Sequence, residues 1–247
     1  MIFATLALTL GAVVQDVPDP ASTVSQMLSR YAGVKALSGT IRLTQTAGSE
    51  TLVLDTKFQF EKPSKVFVLQ TLRAQNPAEW MIVSDGKNFV YTLPDAQLGR
   101  MGQRLMEPVN QNGVLLGCKD IYFCGTYSLR DKSAPLDIAF GRIEDLRYIK
   151  NQWATLRFIR SETIEEEPVW VFGGQWRENG GAPITAEYRM FITRNYDLRK
   201  YVIFSRQAIP VPNRPGATQV VDIYTTYNVN FKQDGELDQA LFQLPPP

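Results

Sequence analysis

Residues 38–61, SGTIRLTQTAGSETLVLDTKFQFE, decide the fold. From Leu37 onward apolar and polar residues alternate, a period of two that belongs to an extended chain with one face turned toward a core. In the second half Leu52, Leu54, Phe58 and Phe60 share one side, against Val53, Asp55, Lys57 and Gln59 on the other. The break at residues 47–50 is far too short for a parallel crossover, so the two strands are predicted to pair antiparallel.

Upstream the period changes. Asp19 suits a helix N-cap and Pro20 the first turn, where its missing N–H costs nothing. Val24, Met27, Leu28 and Tyr31 recur at spacings of three and four, with Gly33 near the stop, which predicts an amphipathic helix of about three turns. Before it, residues 2–14 form an uncharged apolar run, IFATLALTLGAVV. A bilayer-spanning helix needs about 20 such residues. Residues 1–15 therefore read as a signal peptide or short apolar leader, and membrane contact is expected to be transient or peripheral. The leader is atypical in having no Lys or Arg before Arg30 and no small-x-small cleavage site.

Downstream, the turn from Lys62 to Ser64 leads into VFVLQTL, apolar on both faces and so expected near the sheet centre or under another element. WMIVS, Asp85-Gly86 and KNFVYTL form the clearest hairpin, placing Phe89, Tyr91 and Leu93 on one face and ending at Pro94. In residues 95–116, Leu98, Met101, Leu105 and Met106 allow a short helix that Gly99, Gly102 and Pro108 weaken. The run IYFCGTYSL at 121–129 is strand-like. Around Pro135 to Ile149, Ile138, Ala139, Arg142, Ile143, Leu146 and Ile149 allow a helical stripe interrupted by Gly141. Strands then resume. Trp170, Phe172 and Trp176 share a face, as do Val221, Ile223, Tyr227 and Val229. Residues 206–218 are expected to form a longer connection.

Composition removes several functions. Lys and Arg number 26 against 25 for Asp and Glu, so no global field attracts phosphate backbones, and nucleic acid is not an expected partner. There is no histidine, which removes imidazole dyads and triads and His-based metal sites. No GxGxxG or GxxxxGK segment is present. No catalytic residue, metal ligand or cofactor is assigned. Cys118 and Cys124 match neither a redox pair nor a zinc knuckle; they are either a local disulfide or two buried thiols.

The whole predicts a mainly β, α+β fold: a strongly curved antiparallel sheet or incomplete β-barrel with helices on its concave side, in one domain over residues 19–247. Two packed sheets are the alternative. The sequence resembles the LolA-like family, which includes periplasmic lipoprotein carriers, in YAGVKALSGTIRL, FQFEKPSKV, IVSDGKNFVYTL, YTTYNVNF and the closing ELDQALFQLPPP. The resemblance covers residues 21–247. It implies an incomplete barrel wrapped around helices, with an apolar cavity that in the carriers receives acyl chains. It implies a periplasmic or other extracytoplasmic location and no catalytic residues. Some carriers tie cavity to helices through an arginine; Arg42 lies in the corresponding region.

From the strand patterns, the candidate cavity residues are Leu52, Leu54, Phe58, Phe60, Phe89, Tyr91, Leu93, Trp170, Phe172, Trp176, Ile223 and Tyr227. Taken singly, each fits packed core as well. The expected partner is a lipid acyl chain or lipoprotein, with polar groups at the mouth from the Lys62 to Lys65 turn or the 206–218 loop. The competing expectation is an envelope interaction module with a filled core and an outer binding face.

Overall fold

The structure, a computed structural model, describes residues 17–73, 77–94, 101–108, 134–141, 150–151, 153, 155–176, 185–210, 216–233 and 235–245. The leader at 1–15, Leu98, Cys118, Cys124, the run at 121–129 and the helical stripe beyond Gly141 lie outside the described residues.

Helix α1 (Pro20–Gly33) forms as its pattern dictates. The Asp19 carboxylate accepts from the Ser22 backbone N–H at 2.7 Å, and Val24, Met27, Leu28 and Tyr31 make the buried stripe. The strands are β1 (Ala36–Ala47), β2 (Glu50–Glu61), β3 (Lys65–Arg73), β4 (Ala78–Asp85), β5 (Asn88–Pro94), β6 (Met101–Pro108), β7 (Arg157–Ile164), β8 (Glu167–Trp176), β9 (Thr185–Thr193), β10 (Leu198–Pro210) and β11 (Thr218–Gln233). Helix α2 (Ala134–Phe140) falls between β6 and β7.

The eleven strands among the described residues form one antiparallel sheet, ordered β6-β5-β4-β3-β2-β1-β11-β10-β9-β8-β7. The two-sheet alternative is not what forms. Strand β1 pairs with β2 on one side and with the last strand, β11, on the other, so the two halves of the chain are joined at the centre. Strands β6 and β7 stand at opposite ends of the order and do not pair, which leaves the barrel incomplete.

Alternation divides the sheet into two faces. The inner face carries Leu37, Ile41, Leu43, Leu54, Phe58, Phe60, Val66, Val68, Trp80, Ile82, Phe89, Tyr188, Met190, Tyr201 and Tyr227, packed with α1, α2 and Trp153 into one cluster. On the outer face, Phe67 and Val83 are covered by the C-terminal segment, where Phe242 sits in the 3-10 turn Gln239–Phe242 among Leu237, Leu241 and Leu244. That cover explains why β3 is apolar on both faces. It also buries Gln59, whose amide donates to the Asp238 carbonyl at 2.5 Å.

Two expectations need correction. The helix allowed at 98–106 is instead strand β6 over its described part, Met101–Pro108, paired with β5. The exposed edge of β5 offers a ladder of backbone partners that an isolated short helix lacks, and this outweighs weak helical spacing. The connection expected at 206–218 begins later, because β10 continues to Pro210 opposite Thr218. The cross-strand pair Arg206–Asp222, at 2.7 Å, lies in that extension. The described part of the second helical segment stops at Phe140, and Gly141 follows at φ +64°.

Candidate functional site

The helix-covered inner face is the candidate site. Eight candidates gather in its cluster or against it: Leu54, Phe58, Phe60, Phe89, Phe172 and Tyr227 are buried members, and Leu52, like Trp170, packs on their margin. Ile223 is buried on the same face of β11. Tyr91, Leu93 and Trp176 occupy strand positions, but their side chains lie outside the described residues.

Aromatic edges hold the cover down. The Phe140 ring of α2 meets Phe60 at 5.2 Å and Phe58 at 6.1 Å between centroids, both near-perpendicular. Phe231 meets Phe58 at 5.4 Å and Tyr31 at 5.6 Å in the same manner. All seven residues of α2 are buried, and α2 packs on α1, β1 and β11.

Polar groups in this interior are mostly satisfied. The Tyr31 hydroxyl accepts from the Leu198 backbone N–H at 3.1 Å, and burial pushes its phenol far above the ordinary value. Trp153 Nε1 donates to the Tyr201 hydroxyl at 3.2 Å. Across neighbouring strands Gln45 donates to Thr225, and Gln70 to Thr56, each at 2.9 Å. Trp80 Nε1, Trp170 Nε1 and the Tyr188 hydroxyl are buried with no hydrogen-bond partner among the described residues. Tyr31→Phe should destabilise the fold by about 1–3 kcal/mol, since the Leu198 N–H would be left buried and unpaired. Urea unfolding checks this through an unchanged slope and a lowered midpoint.

Two polar expectations are redirected. Lys62 is no free mouth group, because its ammonium donates to the Ala32 carbonyl at 2.8 Å at the end of α1. Partial burial lowers its pKa. Lys65 pairs with Glu61 at 3.1 Å. Arg42 points to the outer face, where its guanidinium is 2.7 Å from Asp55 and, among the described residues, makes no link to the helices.

The outer face has a groove of about 900 Å³. Arg42, Asp55 and Lys57 line one side, and Glu165, Glu167 and Arg199 the other. Its lining runs across the outer face from β2 through β1 and β11 to Arg199 of β10 and the turn that joins β7 to β8. Asp55 also pairs with Arg73. Its pKa is lowered chiefly by the hydrogen bond from Arg42, with Arg73 adding to it and burial opposing. The stability this carboxylate contributes is thus present above its unfolded pKa of about 4 and is lost as pH falls through the lower folded value. Asp55→Asn should remove that acid-side dependence while costing less than about 1 kcal/mol at pH 7, because solvent screens the pair. Denaturant titrations between pH 2 and 7 test it.

The turn residues Glu165, which lines the groove, and Glu166 have a strained backbone, at φ 48° and 69°. A two-residue turn with both φ positive favours Asn-Gly, so Glu165→Asn with Glu166→Gly should stabilise the fold by about 1 kcal/mol in a thermal melt. Among the described residues, no three Cys, Asp or Glu side chains group closely enough to hold a metal ion.

Sequence reasoning missed Trp80, Tyr188, Tyr201 and Phe231 as inner-face residues. The signal was present in parity: Trp80 is in phase with Ile82, and Tyr188 with Met190. The outer groove had no comparable signal, because it joins residues far apart in sequence.

No known family profile matches the chain, and no curated protein matches it. Solved structures do match. The chain is similar to the lipoprotein LppX of Mycobacterium tuberculosis, at 12% identity over 90% of this chain and 99% of that one, with a TM-score of 0.44. It is similar to a LolA superfamily protein of Nitrosomonas europaea, at 9% identity over 92% and 98%, with a TM-score of 0.35. A chain of the Pseudomonas aeruginosa MucA/MucB complex matches at 12% identity over 92% and 62%, with a TM-score of 0.42. With these TM-scores below 0.5, the matches carry no inference about function, which rests on the side chains described above.

Proposed function

We propose that this is a non-catalytic binding protein of the cell envelope that shelters a lipid acyl chain, or the acylated part of a lipoprotein, for carriage or sensing. The guest lies between the inner face of the sheet and its helical cover. The observation that supports this is the continuity of the inner face, where apolar and aromatic side chains from β1 to β5 and β8 to β11 belong to one cluster with the helices. Helix α2, only seven residues long and wholly buried, is the part of that cover a guest would displace.

Each methylene a guest buries contributes about 0.8 kcal/mol, so a chain of ordinary length offsets both the ordering cost and the contacts α2 gives up. Release follows when an acceptor takes the chain and α2 returns to Phe58 and Phe60. The apolar leader at residues 2–14 directs export on this reading, and contact with membranes is peripheral. Gentle isolation from the native host, mass spectrometry of co-purifying molecules and rebinding after delipidation form the test. Stoichiometric lipid or acylated protein that rebinds supports shelter of an acyl guest. Absence of any selective apolar ligand in both states contradicts it.

The outer groove supports a second reading, an interaction module for another envelope protein. Its opposed charged walls suit a polar partner segment and leave the inner face as core. Arg42→Glu should then weaken partner capture without altering lipid content.

A further inference from the structure

The inner face carries an unusual residue of unmet chemistry. Buried polar side chains in native proteins nearly always have partners, and those left without one call for an explanation. Here Trp80 Nε1, Trp170 Nε1 and the Tyr188 hydroxyl have none among the described residues, and all three side chains belong to the inner-face cluster or its margin. Trp80 is 4% exposed and Tyr188 1%, so bulk water does not serve them. Their neighbours are not similarly deprived: Gln70, directly across from Trp80 on β3, has its bond to Thr56. Trp153, stacked on Tyr188 with centroids 5.9 Å apart, has its bond to Tyr201.

The three orphans share a chemical sense. An indole N–H only donates. Burial raises the Tyr188 phenol well above its ordinary value, so it keeps its proton and donates as well. Such an interior is mismatched to a plain hydrocarbon and matched to a molecule that brings acceptors into it.

Building on the sheltering role proposed above, we infer that the guest carries carbonyl acceptors into the interior, as an acyl ester or amide does, and that Trp80 Nε1 and the Tyr188 hydroxyl donate to them. The apolar wall would then select for chain, and the donors for the linkage that joins chain to head group. A buried donor left unpaired is penalised on the order of tenfold in an equilibrium. An ester guest relieves the penalty, and a guest without the carbonyl does not.

The test compares delipidated full-length protein binding dipalmitoyl phosphatidylcholine with binding of its dihexadecyl ether analogue, which has the same chains and head group without the carbonyls. The wild type should prefer the ester by about tenfold. Trp80→Phe keeps an apolar ring and removes the N–H, and should reduce that preference severalfold, read as the ratio of ester to ether affinity within the variant. Tyr188→Phe should do the same and gives a second measure if one variant folds poorly. Equal binding of both lipids by wild type, or a full ester preference in both variants, overturns the inference while leaving the sheltering role intact. Failure to bind either lipid removes the role itself and the inference with it.

Discussion

Gly141→Ala is expected to destabilise the protein by about 3 kcal/mol or more and to loosen α2 from α1. Gly141 ends α2 at φ +64°, a conformation unfavourable for residues with a Cβ. The new methyl would also stand 2.3 Å from the Tyr31 carbonyl oxygen and 2.6 Å from its carbonyl carbon. Neither atom belongs to a flexible side chain, so the two helix ends must separate. Since domains of this kind are held by only about 5–15 kcal/mol, the loss should be plain in a denaturation curve. If the cover is what a guest displaces, the variant should also bind a hydrophobic reporter dye below its unfolding transition, which a merely destabilised but closed fold would not.

Phe58→Ala is the second large effect, with an expected loss of about 3–5 kcal/mol. The Phe58 ring is 1% exposed and meets Phe140 from α2 and Phe231 from β11 edge-on. Its removal leaves a cavity under both and takes away two ring pairs, each worth about 0.5–1.5 kcal/mol beyond area. A double-mutant cycle with Phe140→Ala should show coupling of about 0.5 kcal/mol or more, because the rings touch. Additivity within error would mean that α2 is not seated on this ring in solution.

The reach of the sequence is uneven for physical reasons. Strands β1 and β2 were legible because one face is wet and one dry, so alternation is written in the residues from Leu37 to Phe60. Helix α1 was legible from its cap and stripe. Strand β6 was not, since Met101, Leu105 and Met106 fit a helix locally and only the open edge of β5 selects the extended form. The double-sided apolarity of β3 was readable, but its cause, the return of Phe242 across the outer face, is a contact between residues 175 positions apart in the chain (242 − 67).

For the site, parity placed Leu54, Phe58, Phe60, Phe89, Phe172 and Tyr227 on one face without revealing how closely α2 would fill it. Arg42 alternates to the wet side, where it pairs with Asp55. Neither the outer groove nor the partnerless donors have any linear signature, because both depend on how strands distant in order are bent together.

The central claim is that an acyl chain enters between sheet and cover, and it is tested most directly by fluorine NMR of protein labelled with 5-fluorotryptophan, titrated with a doxyl-labelled fatty acid. The signals, assigned through single Trp→Phe variants, report where the paramagnetic chain lies. Strong broadening of the buried residues Trp80, on the inner face, and Trp153, packed against it, reversed by unlabelled fatty acid, is the predicted result. Sharp Trp80 and Trp153 signals at saturating ligand would contradict it and leave the inner face as packed core.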